Sequence, residues 1–66
     1  MRVIINGEDR EIEENISVLD LLKDLGIEEK TMAAAVNMQV VKKENWESKL
    51  ISENDKIEFL HFVGGG

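Results

Sequence analysis

The sequence predicts a small α+β domain in which one main helix crosses a mixed sheet of four or five strands. Three observations lead to this prediction: a β-rich hairpin, a strongly amphipathic helix after it, and a second hairpin followed by a final strand. The 66 residues suffice for one domain and lie close to the lower limit at which a hydrophobic core alone stabilises a fold. We therefore expect a single core beneath the helix.

The first hairpin is expected within residues 2–13. Residues 2–5 (Arg-Val-Ile-Ile) are rich in β-forming side chains, and Asn6-Gly7 is the strongest two-residue signal for a hairpin turn. Residues 10–13 can then return antiparallel to the first strand.

The helix is expected to begin after Ser17. Ser17 and Asp20 form an S-x-x-D capping pattern, in which each side chain accepts a hydrogen bond from the other residue's backbone N–H. Gly26 is expected to end the helix in the left-handed conformation. Between these residues, apolar side chains recur at i, i+3, i+4 and i+7 and form one stripe: Val18, Leu21, Leu22 and Leu25.

The second hairpin is expected at residues 33–41, where two apolar runs flank Asn37-Met38-Gln39. Asparagine suits a turn because it tolerates the left-handed conformation. A further turn at residues 52–55 leads to the final strand, residues 56–62, and the glycine-rich end follows this strand directly.

Trp46 and Leu50 are four residues apart, which is the spacing of neighbours on a single helical turn. We expect Trp46 to be a packing residue. Stacking on nucleic acid bases is the alternative, but the acidic composition opposes it.

This order of elements has one economical packing. The helix crosses one face of the sheet, and the first and last strands lie parallel in its middle because the long intervening segment allows a crossover. The arrangement is the ubiquitin-like β-grasp. We expect the domain to comprise residues 1–63 and to be followed by a flexible tail of Gly64, Gly65 and Gly66.

Composition argues against several kinds of site. The chain has no cysteine, so it carries no disulfide, thiolate metal site or persulfide of its own. A single histidine, His61, argues against a catalytic triad or a histidine zinc site, and we expect it to be a packed or half-exposed strand residue. We therefore expect no metal site and no catalytic residue in this chain.

Charge and hydropathy narrow the choice of partners. A net charge of −6 opposes binding to nucleic acid, and an acidic domain of this size is suited to docking on a basic cleft of another protein. The sequence has no charged-then-apolar leader and no long apolar run, so we expect no membrane association and a cytoplasmic location.

The glycine tail points to chemistry at its end. Glycine has no Cβ, so three glycines form a thin chain that can enter a narrow enzyme channel and present a carbonyl carbon without shielding. The alternative is a frayed end, since the last residues of most domains are poorly ordered.

Several features together identify a family. They are the element order, the spacing from Val41 to Trp46, and three motifs: Ala34-Ala35-Val36-Asn37, Asp55-x-Ile57-Glu58 and Phe62-Val63-Gly64-Gly65-Gly66. In these features the chain resembles the ThiS family, the sulfur carriers of thiamin biosynthesis, over essentially its whole length. The terminal glycine pair is the most diagnostic element, and the related small subunit of molybdopterin synthase has it too.

Two positions depart from the family pattern. Lys42 stands where the family often has proline, which can loosen the entry to the Trp46 segment. Asn54 stands where glycine usually precedes Asp55, and asparagine tolerates the left-handed conformation better than other non-glycine residues. Neither position bears on the expected chemistry.

The resemblance implies a reaction at Gly66. Its carboxylate is ionised at neutral pH and is a poor electrophile until adenylation converts it to a mixed anhydride. A ThiF-like adenylating enzyme would use ATP and Mg for this step, and a persulfide sulfur donor would then yield a thiocarboxylate. A ThiG-like thiazole synthase would take the sulfur. The chain itself would be a protein cosubstrate with no bound cofactor.

The alternation along the last strand predicts a docking surface. Ile57 and Phe59 are expected to face the core, whereas Leu60 and Phe62 are expected on the opposite face beside Ile4. We therefore expect Ile4, Leu60 and Phe62 to form an exposed apolar patch on which a partner docks. A shifted register, or a loop over this face, is the alternative.

Three functions remain open at this point. The first is the sulfur carrier of thiamin biosynthesis. The second is another β-grasp protein, either a molybdopterin-type sulfur carrier or a ubiquitin-like protein modifier. The third is a plain interaction domain with a disordered glycine end. The short length and the pattern of Val36-Asn37 and Val41 to Trp46 favour the first over the second.

Overall fold

The computed structural model describes residues 1–61, which form a five-stranded mixed sheet packed against one α-helix. The strands lie in the order β2-β1-β5-β3-β4, with β1 and β5 parallel, and this topology confirms the predicted β-grasp. None of the helices in this range is long and apolar enough to cross a membrane. The elements are β1 (Arg2–Ile5), β2 (Glu8–Glu11), α1 (Val18–Leu25), β3 (Thr31–Val36), β4 (Gln39–Val41), a 3₁₀ turn (Lys43–Asn45) and β5 (Lys56–His61).

The first hairpin has the two-residue Asn6-Gly7 turn that the sequence predicted, but its second strand begins earlier than predicted. Asn6-Gly7 has φ values of 49° and 83°, and Ile5 pairs directly with Glu8. Two successive residues with positive φ form the type I′ turn, which matches the strand twist and lets pairing resume at the next residue. The prediction that the second strand spans residues 10–13 is therefore wrong by two residues.

The helix begins and ends as predicted. The N–H of Asp20 donates to Ser17 Oγ at 3.1 Å, and the N–H of Ser17 donates to Asp20 Oδ2 at 3.3 Å. Gly26 has a left-handed φ of 71°, and the following N–H, of Ile27, donates to the carbonyl of Leu22 at 3.0 Å. These bonds form the Schellman arrangement, which satisfies carbonyls that the helix leaves free at its end.

The segment after the 3₁₀ turn completes the cap at the start of α1. The N–H groups of Val18 and Leu19 donate to the carbonyls of Lys49 and Trp46 at 2.9 and 3.0 Å. Trp46 is buried, and its indole N–H donates to the carbonyl of Val41 at 2.9 Å. Trp46 is thus a packing residue, as predicted, and its backbone also anchors the helix.

The predicted pairing of Trp46 and Leu50 on one helical turn is wrong. The 3₁₀ turn ends at Asn45, and Leu50 is 56% exposed, whereas the next residue, Ile51, is buried. The N–H of Ile51 donates to the carbonyl of Ile16 at 2.9 Å, so the chain is extended there and successive side chains point in opposite directions.

The second hairpin also has a two-residue loop. Val36 pairs with Gln39, and Asn37-Met38 forms the turn with φ values of 52° and 70°. Gln39, which was predicted to be part of the turn, belongs to β4 instead. The strand before the turn is longer than predicted, since β3 begins at Thr31.

The turn before β5 accommodates Asn54 at the position where the family usually has glycine. This residue has a φ of 68°, so asparagine adopts the left-handed conformation expected of it. Its N–H donates to the carbonyl of Arg2 at 2.8 Å, and Asp55 Oδ2 accepts from the N–H of Ser52 at 2.8 Å. The turn therefore needs no glycine.

The core lies between α1 and one face of the sheet. The predicted core positions Ile57 and Phe59 are buried there, together with three of the four residues of the predicted helix stripe. Leu25, the fourth residue of the stripe, is half-buried at its edge. The buried apolar residues are Val3, Ile5, Ile16, Val18, Leu21, Leu22, Ala34, Val36, Trp46, Ile51, Ile57 and Phe59.

Leu22 provides a test of this packing. Its side chain is 0% exposed, so Leu22→Ala should lower the free energy of unfolding by about 2–5 kcal/mol through lost burial and the cavity left behind. Leu60, which is 62% exposed, supplies the matched control, because Leu60→Ala should change stability by less than about 0.5 kcal/mol. Chemical denaturation measures both values, and similar costs for the two variants would contradict the assigned core.

Candidate functional site

β5, the strand that precedes the glycine-rich end of the sequence, lies in the centre of the sheet. It pairs antiparallel with β3 over almost its whole length, from Ile57 opposite Val36 to His61 opposite Thr31. On its other side it pairs parallel with β1, where Ile57 lies opposite Ile5. Backbone hydrogen bonds on both sides therefore fix the position of this strand.

Asn6 extends the pairing between β1 and β5 beyond the end of β1. Its N–H donates to the carbonyl of Ile57 at 2.9 Å, and its side-chain Oδ1 accepts from the N–H of Phe59 at 2.8 Å. The side chain thus replaces the backbone carbonyl that a longer β1 would supply. Sequence reasoning assigned Asn6 only to the turn, because nothing local indicates which distant N–H its side chain reaches.

The last residues of β5 pair only with β3 within the part of the chain that the structure describes. The register between these strands shifts between Thr31 and Ala33, which is an irregularity of the β-bulge type. His61 is half-buried opposite Thr31, which agrees with the predicted packed or half-exposed role. Its Nδ1 is buried and has no hydrogen-bond partner among residues 1–61.

Ile4 and Leu60 share the sheet face opposite the helix, as predicted, but they are not neighbours. Ile4 pairs with Lys56, four residues before Leu60 and roughly 13 Å from it along the strand. Glu58 lies between them on this face, and the residue opposite Leu60 is Ala33 of β3. The predicted adjacency is wrong because β1 ends one residue after Ile4 and does not extend to the level of Leu60.

Leu60 belongs instead to a patch formed with β3 and β4. We call Ala33, Ala35, Val40 and Leu60 the open-face patch. Leu60 lies opposite Ala33, Val40 lies opposite Ala35, and the two larger side chains are 62% and 75% exposed. Val40 and the two alanines were not predicted as site residues. Ala33 and Ala35 alternate with buried residues of β3 and Val40 lies opposite Ala35, so the alternation indicates these positions only once the hairpin register is known.

Ile4 is half-buried beside a different residue. It lines a shallow depression together with Met38, Gly7 and Lys56, at the other end of the same face. The open face therefore carries two separate apolar positions, with Glu58 between them.

Part of the predicted site lies outside the described residues, namely Phe62 and the three glycines Gly64, Gly65 and Gly66. Their predicted roles in docking and modification stay predictions. Within residues 1–61, no group of three or more His, Asp or Glu side chains is arranged to hold a metal ion.

The fold and the position of β5 define a class of protein. The chain is a ubiquitin-like β-grasp domain whose central last strand leads to a glycine-rich segment. The ThiS family model matches residues 3–66, and the chain belongs to the ThiS family. This result confirms the resemblance drawn from the sequence motifs.

The relatives include sulfur carrier proteins and thiazole synthases. The sulfur carrier protein ThiS of Bacillus subtilis is 32% identical over 63 residues, which cover 94% of this chain and 96% of the relative. A thiazole synthase of Paramagnetospirillum magneticum is 33% identical over 66 residues, which cover 100% of this chain. The chain spans only about a fifth, 20%, of the length of that synthase.

A solved structure has the same fold. The crystal structure of the thiamine biosynthesis protein ThiS from Geobacter metallireducens matches with a TM-score of 0.84 and 28% identity, over 100% of both chains. The β-grasp topology of this chain is therefore that of a ThiS protein.

The role of Asn6 is testable with two variants. Asn6→Gly keeps the left-handed turn but removes the acceptor of the Phe59 N–H, so it should lower the free energy of unfolding by about 1 kcal/mol or more. Asn6→Asp keeps both an acceptor oxygen and tolerance of positive φ, and it should cost clearly less. Urea titration of both variants provides the comparison, and equal costs would contradict the side-chain bond.

Proposed function

We propose that this chain is a sulfur carrier of thiamin biosynthesis and that Gly66 is the residue that carries the sulfur. The observation that carries the proposal is the family match, which extends through Gly66 and includes a sulfur carrier matched over 96% of its own length. Gly64 and Gly65 provide the narrow segment that leads the carboxylate into a partner's active site.

The proposed reaction needs two successive displacements, the first by the Gly66 carboxylate at the α-phosphorus of ATP and the second at the Gly66 carbonyl carbon. A ThiF-like adenylating enzyme, with ATP and Mg, joins the carboxylate to AMP and releases pyrophosphate. A persulfide sulfur donor then displaces AMP, and reductive cleavage of the resulting acyl disulfide by a second thiol leaves the thiocarboxylate. The chain contributes the acyl group, and the partners contribute the catalytic residues.

Relatives that are thiazole synthases support the identity of the sulfur acceptor. In these relatives a segment similar to this chain occupies about a fifth of a thiazole synthase chain. Joining two modules in one chain raises their effective concentration for each other. We therefore propose that a ThiG-like thiazole synthase takes the sulfur, which favours the thiamin route over a molybdopterin-type carrier or a protein modifier. The setting that we propose is the cytoplasm.

The open-face patch is the proposed docking surface for the adenylating enzyme. Val40 and Leu60 are large apolar side chains that stand above the small Ala33 and Ala35, and apolar anchors of this kind dominate binding energies. Leu60 lies on the strand that leads to Gly66, so docking there would direct the glycine segment toward the partner. Phe62 remains a proposed contributor to this surface, whereas Ile4 lies outside it.

The carrier reaction is tested by intact mass. Incubation with ATP, Mg, the adenylating enzyme and a sulfur source should produce the mass gain that corresponds to replacing one oxygen atom by sulfur. A chain that lacks Gly66 is the matched control and should gain nothing, while its thermal midpoint should stay the same because glycine has no side chain to bury. Thiocarboxylate on the shortened chain would contradict the proposal.

The docking surface is tested with two exposed leucines. Leu60→Ser should weaken binding to the adenylating enzyme by about tenfold or more, because hot-spot truncations cost 2 kcal/mol or above. Leu50→Ser is the control, since Leu50 is also exposed but lies on the far side of the domain in the segment that caps α1. Both variants should retain the unfolding midpoint, and equal affinities would remove Leu60 from the interface.

A further inference from the structure

β2 is an outer strand of the sheet and leaves one edge of its backbone free. Residues 8, 10 and 12 direct their N–H and C=O groups toward β1, as shown by Ile12, whose N–H donates to the carbonyl of Met1 at 2.8 Å. Because an antiparallel pair alternates these directions, the backbone groups of Asp9 and Glu11 point away from the sheet. They can pair with a strand from another molecule.

A groove runs beside this edge, between β2 and α1. Its floor is apolar and consists of Ile12, Leu21 and Leu25. Leu21 is buried, whereas Ile12 and Leu25 are half-buried and keep part of their surface in contact with solvent. An added strand would cover this remaining apolar surface with every second side chain.

The rim of the groove is mainly acidic. Glu11, Glu13 and Asp24 line it together with one cationic side chain, Arg10. The guanidinium of Arg10 is already 3.9 Å from the carboxylate of Glu8. The carboxylate of Glu11 is 3.7 Å from the N-terminal ammonium, so the surplus of negative charge on the rim rests on Glu13 and Asp24. On a chain with a net charge of −6, this surplus favours a cationic occupant.

The same charges oppose a second copy of this chain. An antiparallel pair of two β2 strands centred on Arg10 would place Asp9 of one copy opposite Glu11 of the other, and Arg10 opposite Arg10. Like charges that face each other across strands destabilise the pair, and charged edges are a common protection against self-association. The occupant must therefore be a different segment with the opposite charge.

We propose that the free edge of β2 and the groove beside it bind an extended segment of a partner protein in which apolar side chains alternate with Lys or Arg. The segment adds a sixth strand through the backbone groups of Asp9 and Glu11. Its apolar side chains face the floor beside Ile12 and Leu25. Its cationic side chains lie on the other side of the added strand. Glu11, at the margin of the groove, projects toward that side because it is in register with Arg2, whose guanidinium is 3.0 Å from the carboxylate of Asp9.

The position of this site separates it from the proposed sulfur chemistry. Glu11 lies opposite Arg2, and Arg2 is three residues before Ile5 in β1. Ile5 lies opposite Ile57, which is four residues before His61 in β5. At the rise of an extended strand, these seven residues span about 23 Å. A basic strand bound at β2 would therefore hold a partner while the end of β5 remains accessible.

The experiment is a titration of the isotope-labelled full chain, followed by NMR, with two probe peptides. The first is acetyl-Lys-Val-Lys-Val-Lys-Val-Lys-amide, and the second has Glu in place of every Lys. The proposal expects binding of the first peptide alone, with shifts at residues 9–13, 21 and 25 and slower exchange of the Asp9 and Glu11 amides. Binding of both peptides, of neither, or at the open-face patch would overturn the proposal.

Substitutions at Glu11 separate backbone pairing from charge attraction. Glu11→Ala and Glu11→Pro both remove the carboxylate, but only proline also removes the outward N–H, and an edge strand tolerates proline at such a position. Glu11→Pro should bind the lysine peptide at least about fivefold more weakly than Glu11→Ala, as expected for one lost hydrogen bond. Equal affinities in two folded variants would contradict strand addition.

A third variant keeps the test decisive if Glu11→Pro does not fold. Glu13→Lys changes only an exposed rim charge and should weaken binding of the lysine peptide, with a smaller effect at high salt because screening already reduces the attraction. Unchanged affinity at low salt would remove the acidic rim from the site and overturn the proposed selectivity.

Discussion

The position of β5 between β1 and β3 is the constraint on which the rest of this structure depends. The parallel contact with β1 includes two register pairs and the bond from the Phe59 N–H to Asn6, which joins residues 53 positions apart. Closing so long a loop is entropically unfavourable. Burial of Ile57 and Phe59 offsets it by roughly 1.5–3 kcal/mol for each side chain. β5 is therefore in place only when the core is complete, so a folded domain presents its last strand in one position.

This constraint also divides the surface into parts with different properties. α1 covers one face of the sheet, and the other face is left with short side chains at Ala33 and Ala35 and exposed ones at Val40 and Leu60. The edge at β2 is acidic and lies at the opposite end of the strands from His61. For the proposed sulfur carrier, such a division would let one partner remain bound while another acts on Gly66.

Contacts between residues close together in the sequence could be predicted, whereas the register between strands that are far apart in the sequence could not. Ser17, Asp20 and Gly26 specify the ends of α1 through contacts within a few residues, and the structure has these contacts. The separation of Ile4 from Leu60 depends on where β1 stops relative to β5, which no local signal determines. The returning strand of each hairpin begins earlier than predicted, by two residues at β2 and by one at β4, because both turn residues adopt positive φ and pairing resumes at once.

The fold fixes where the glycine segment begins only if β5 is an integral part of the folded core. Native-state hydrogen exchange measures this property directly. The amides of Ile57 and Phe59 should exchange only through global unfolding, with protection equal to that of Leu22 in α1 and the same dependence on denaturant. Faster exchange of the β5 amides, through an opening that leaves α1 protected, would contradict the account. It would show that the strand detaches from a folded domain and that the fold does not fix where the glycine segment begins.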